Sequence, residues 1–96
     1  MSDPTLLELV SLAEGEKHRY AMMLDIESFA GHRLGPGTLY GAITRLEECG
    51  WIQADASIGR RRPYRISAAG RDHLEVRITA LDKIVRIAVR RLKQRS

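Results

Sequence analysis

The chain has 96 residues, 44% hydrophobic and 29% charged, which is enough for one folded domain and excludes a disordered chain. No apolar run approaches the ~20 residues of a membrane span, MSDPTLLELV has no basic leader, and a single cysteine excludes an internal disulfide, so a reducing cytoplasm is expected. The net charge of +4 hides an asymmetry: residues 1–56 hold 4 basic and 9 acidic side chains, net −5, and residues 57–96 hold 12 and 3, net +9.

Asp3 and Pro4 read as a helix start, a cap followed by a residue that needs no N–H in the first turn. Leu6, Leu9, Val10 and Ala13 share one face of that helix, Leu7 and Leu12 point elsewhere, and burial on more than one side follows. Gly15 ends it. A second helix is expected over residues 18–30, with Met22, Met23, Ile26, Phe29 and Ala30 on one side and Gly31 as the stop. GHRLGPG is a turn, Pro36 opens a third helix over residues 36–49, and Gly50 closes it. WIQAD and YRIS have strand character, and ASIGRRRP between them makes a hairpin with Arg60, Arg61 and Arg62 at its tip. Ser67 caps a last helix reaching about residue 93. Leu74, Ile78, Leu81, Val85, Ala88 and Leu92 along it are spaced 4, 3, 4, 3, 4, a heptad seam, with Val76, Ala80, Ile84 and Ile87 beside it. A stripe that wide needs a partner chain to cover it.

Three helices, a two-stranded hairpin and a long helix make a mainly α (α+β) fold in the order of a winged helix-turn-helix, with residues 1–67 as the DNA-binding unit and residues 68–96 as the dimerisation helix. In that arrangement the third helix enters a major groove and the hairpin, the wing, lies along the backbone or in the minor groove. Leu39, Ile43 and Leu46 face inward, while Gly37, Gly41, Thr44, Arg45 and Glu48 face outward, flanked by Thr38 and Tyr40. Glycines permit close approach, hydroxyls suit phosphates, and Arg45 can reach guanine or phosphate. Two readings stay open for Gly41, a groove contact or packing beneath a neighbour. Glu48 argues against contact at the helix end.

The stretches LLELVSLAEGEKHRYAMMLDIE, RLGPGTLYGAITRLEECGWI and GRRRPYRISAAGRDHL resemble the PadR family of transcriptional regulators in order and spacing. That resemblance implies a homodimeric winged-helix repressor that binds double-stranded DNA at a pseudo-palindromic site and commonly releases it on binding a small-molecule effector. It also implies the subgroup with a single terminal dimerisation helix. Arg19 stands where the family usually has glycine, Gly41 where it often has proline or alanine, and Pro63 where another strand former is common. The expected DNA contacts are Gly37, Thr38, Tyr40, Gly41, Thr44, Arg45, Arg60, Arg61, Arg62 and Tyr64. The expected dimer contacts are Leu6, Leu9 and Val10 with Leu74, Ile78, Leu81, Val85, Ala88 and Leu92.

Other chemistries have little support. His18, His32 and His73 fall in three separate elements without ligand spacing, so no metal is expected. His18 is expected to order the start of the second helix, and His32 and His73 to lie on the surface. Cys49 is expected to be a buried, inert thiol. No nucleophile-base pattern or phosphate loop occurs, so neither an enzyme nor a cofactor is expected. The basic arc of the last helix is read as a solvated face, with Arg71 near enough to the wing to reach phosphate. The alternative from another class is a dimeric winged-helix protein-interaction module without specific DNA binding.

Overall fold

The computed structural model of the chain describes residues 3–55 and 62–94. Helix α1 (Pro4–Ala13) carries Pro4 in its first turn, and the Asp3 carboxylate accepts from the Thr5 N–H at 3.0 Å. Helix α2 (Arg19–Ala30) stops at Gly31, whose φ of 81° is the left-handed conformation that a Cβ would strain. Helix α3 (Pro36–Glu48) follows the five-residue turn that buries Leu34. Strands β1 (Ile52–Ala54) and β2 (Tyr64–Ile66) pair antiparallel, Ile52 opposite Ile66 and Ala54 opposite Tyr64. Lys17 adds a one-residue bridge to Tyr64, exchanging N–H···O bonds of 3.0 and 2.9 Å, so the α1–α2 connection is tied to the base of the wing. Helix α4 (Ala68–Gln94) opens at Ser67, whose hydroxyl accepts from the Gly70 N–H at 3.0 Å and donates to the Gly50 carbonyl at 2.6 Å. The result is a winged helix-turn-helix with a long terminal helix.

The core forms where α1, α2, α3, β1 and the foot of α4 meet: Leu7, Leu9, Leu12, Met22, Ile26, Leu39, Ile43, Leu46, Ile52 and Leu74 are all buried there. Leu9 is fully buried and Leu74 is 6% exposed. Neither side chain, expected to meet a partner, points outward. Both close the chain's own core, because α1 is packed by α2 and α3 and also by the first turns of α4. A polar set fastens α1 to α2: the Ser11 hydroxyl donates to Asp25 at 2.7 Å, and Lys17 donates to the Ser11 carbonyl while pairing with Glu14 at 2.8 Å.

Glu8 breaks the apolar pattern. It is fully buried on α1, and neither carboxylate oxygen has a hydrogen-bond partner. Burial pushes its pKa up to about 8, against the opposing pull of the Arg45 charge. The folded chain therefore keeps a proton on Glu8 that the unfolded chain releases above the ordinary carboxylate range. Folding stability falls as pH rises from about 4.5 to 8 and levels off beyond, a loss of roughly 3 kcal/mol by pH 7. Glu8→Met is expected to raise the unfolding free energy by about that much at pH 7, with the gain shrinking towards pH 4.5. Denaturant melts at pH 5 and pH 8.5 read the difference, and a gain independent of pH would refute the buried carboxylate.

The foot of α4 fits tightly against the domain. A Cβ on Gly70 would stand 2.1 Å from the Trp51 carbonyl oxygen and 2.9 Å from Ile66 Cγ1, so only glycine lets α4 cross β1 and β2 this closely. One turn later His73 stacks on Trp51 with ring centroids 3.6 Å apart and planes 12° apart. It is half-buried rather than on the surface as expected, because Trp51 needs an aromatic cover where the sheet ends. Arg71 donates to the Ala13 carbonyl at 3.2 Å, and Arg77 pairs with Asp3 at 2.9 Å. Beyond Ile78 the helix leaves the domain, which extends the molecule to 57 Å against 26 and 20 Å in the other directions. Ile78, Leu81, Ile84, Val85, Val89 and Leu92 are exposed along that arm. No helix among the described residues is long and apolar enough to cross a membrane.

Candidate nucleic-acid interface

The outward side of α3 is built from small side chains because the inward side holds the bulk. Leu39, Ala42, Ile43 and Leu46 are buried, and at 100° per residue the opposite arc falls to Gly37, Gly41, Thr44 and Glu48, all exposed. A Cβ on Gly37 or Gly41 would meet nothing within 4 Å. Gly41 therefore does not pack beneath a neighbour; its missing side chain leaves open surface on a helix where glycine costs ~1 kcal/mol relative to alanine. The Thr44 hydroxyl donates to the Tyr40 carbonyl at 3.1 Å, so its oxygen faces outward as an acceptor and its hydrogen is already used.

The two flanks of this arc differ. Thr38 and Arg45 lie on one, and Arg45 borders a hollow of about 310 Å³ with Asp3, Thr5, Cys49 and Trp51. Cys49 is exposed there, against the expectation of a buried thiol, because it is the C-cap of α3 and the chain turns away at Gly50 before anything covers it. Tyr40 lies on the other flank and meets the wing. There a half-open groove of about 520 Å³ runs between the start of α2, the start of α3 and Arg62. The Arg19 guanidinium sits over the Tyr40 ring, 4.8 Å from its centroid. His18 occupies the N-cap position of α2 without a side-chain bond, and Gly35 does the same for α3, so both helix starts beside the groove leave first-turn N–H groups uncapped.

Tyr64, half-buried on β2, senses this cluster. Burial is the main cause that raises its phenol pKa, with Glu47 adding to it and Arg19 and Arg62 opposing. The phenol therefore stays a neutral hydrogen-bonding group. Among the described residues half the cations of the winged unit are already engaged, Lys17 with Glu14, Arg33 with Glu27 and Arg65 with Gln53, and Arg71 at the start of α4 is bound to a backbone carbonyl. Arg19, Arg45 and Arg62 make no such bond and face outward. Tyr40, Arg62 and Tyr64, each expected as a DNA contact, lie near one another, with Arg19 and His18 beside them, which were not expected there. The glycine usual at position 19 in the resembling family was the available signal. Arg60 and Arg61 lie outside the described residues. Val10 is at the surface and Leu6 half-buried, whereas Ile78, Leu81, Val85, Ala88 and Leu92 are exposed on α4. No cluster of His, Cys, Asp and Glu among the described residues is arranged to hold a metal ion.

Comparison with known proteins agrees with this fold. The model of the transcriptional regulator PadR-like family matches residues 6–76. A PadR family transcription regulator from Clostridium difficile superposes with a TM-score of 0.80 at 23% identity, covering 90% of this chain and 94% of that one. A transcriptional regulator from Clostridium thermocellum gives 0.77 at 24% identity, covering 88% and 84%. An uncharacterised 37.1 kDa protein in transposon TN4556 of Streptomyces fradiae is 46% identical over 74 residues, which are 77% of this chain and 21% of that protein. The chain thus spans about a fifth of that relative.

Proposed function

The chain belongs to the PadR-like family of transcriptional regulators, and on that premise we propose that it is a homodimeric repressor that recognises a pseudo-palindromic DNA operator. The observation that carries this reading is the outward arc of α3, where two glycines with nothing near them lie between Tyr40 and Arg45. A surface of that shape lets helix backbone approach the floor of a major groove while its flanks meet the walls. Two copies related by a twofold axis would place their α3 helices in successive grooves, ~34–36 Å apart. The exposed apolar arm of α4 supplies the contact between copies. Release of the operator by a small molecule is the regulatory step that family membership suggests, and operator binding measured with candidate ligands present would read it.

Base readout and phosphate contact separate by experiment. Selection of operator sequences with the dimer is expected to yield a site with twofold symmetry. Changing Arg60, Arg61 and Arg62 together to alanine is expected to flatten the log–log salt dependence by about 0.9 for each phosphate these arginines neutralise. An unchanged slope refutes the wing as a phosphate contact. Thr44→Ala and Arg45→Ala are expected instead to change which bases are preferred, by ~1–3 kcal/mol at the affected position. Uniform weakening on all duplexes would assign these two to the backbone.

A further inference from the structure

We infer that Arg19 is a DNA-phosphate ligand, holding one backbone phosphate jointly with Arg62 across the groove between α2, α3 and the wing. The inference rests on the reading of α3 as the helix that enters the major groove. In helix-turn-helix docking the helix before the recognition helix crosses the sugar-phosphate backbone. Arg19 is the first residue of that helix, on the Tyr40 flank where the backbone would pass.

Three observations assign the role. Arg19 is exposed and has no carboxylate partner among the described residues, whereas Lys17 two residues earlier is held by Glu14. Its guanidinium is parked 4.8 Å from the Tyr40 ring centroid. Attraction to an aromatic face holds the group near the groove, and no hydrogen bond from its N–H groups to a described residue competes with a phosphate. Arg62 lines the same groove from the wing, and Tyr64 between them feels both positive charges. Glu47 also acts on Tyr64, yet forms no ion pair with either arginine. Both guanidiniums line one groove of about 520 Å³, where an anion would meet two positive charges. The groove lies on the flank of α3, where the sugar-phosphate backbone would pass, so the ligand that suits two guanidiniums there is the phosphodiester.

The test uses the full chain, the selected operator, and versions of it carrying one neutral methylphosphonate at successive backbone positions. Arg19→Ala is expected to weaken operator binding about tenfold, to weaken a scrambled duplex by a similar factor, and to lower the salt slope by at most about 1.8, about 0.9 for the shared phosphate in each half-site. At one methylphosphonate position per half-site the unaltered protein should lose about tenfold, whereas Arg19→Ala should lose little more than it already has. Arg19→Lys keeps the charge and is expected to retain the slope with part of the affinity. Arg19→Ala with an unchanged slope and the same losses as the unaltered protein at every neutralised position overturns the inference and leaves the DNA reading standing. Absence of binding by the unaltered protein to any duplex overturns both.

Discussion

Gly70→Ala is expected to destabilise the protein by about 3 kcal/mol or more, the upper part of the range for forcing extra atoms into a packed site. The added Cβ has no flexible side chain to displace: it meets the Trp51 backbone carbonyl at 2.1 Å, and Ile66 blocks retreat at 2.9 Å. That carbonyl also accepts from the Ser67 N–H at 2.9 Å, so moving it loosens the start of α4. The His73–Trp51 stack and the burial of Leu74 depend on the same crossing. For a domain of this size the thermal midpoint should fall by roughly 12 °C or more, compared at equal protein concentration because a dimer's midpoint depends on it. A shift below about 4 °C would show that α4 does not cross the sheet at Gly70. Gly41→Ala is the matched control: its Cβ meets open space, and helix propensity should make it neutral or slightly stabilising.

The second large effect concerns association. Leu81→Glu together with Val85→Glu is expected to turn the proposed dimer into a monomer at micromolar concentration while leaving the winged unit folded. Leu81 and Val85 are 41% and 57% exposed in the single chain, so charging them costs that chain little, whereas four carboxylates on a paired apolar seam are not tolerable. Operator affinity should drop by at least about a hundredfold, since each half-site would then be bound without help from the other. Sedimentation reads the mass and circular dichroism the fold. A double variant that remains a dimer places the interface elsewhere. Truncation is a blunter tool: a cut after Arg71 removes Leu74 and Arg77, which belong to the domain's own packing, and would confuse unfolding with dissociation.

Much of the fold was legible because its punctuation is local. Proline at positions 4 and 36, glycine at 31 and 50, and serine at 67 act within one turn of themselves, and each helix starts or stops beside them. The core side of α3 followed from its period alone. What could not be read depends on which surfaces meet across the chain. Leu9 and Leu74 fit an outward seam by spacing, yet α4 folds back across α1 and turns both inward. Cys49 looked buried by residue type, although it caps a helix at an exposed corner. Position 8 falls on the buried side of a helix packed on several faces, where a carboxylate is not expected, and nothing in the neighbouring sequence marks it. The open outward arc of α3 was visible in Gly37, Gly41 and Thr44, but not the link from Arg19 to Tyr40, which lie on different helices and meet only after α2 packs beside α3.

Binding of the intact protein to its selected operator and to a scrambled duplex of the same length, each measured between about 50 and 200 mM salt, tests the central claim most directly. A sequence-specific dimer should bind the operator at least about a thousandfold more tightly than the scrambled duplex, with affinity falling steeply as salt rises. Equal affinity for the two duplexes would contradict recognition of sequence by α3. No affinity for either would contradict DNA as the partner and leave a dimeric protein-interaction module in its place.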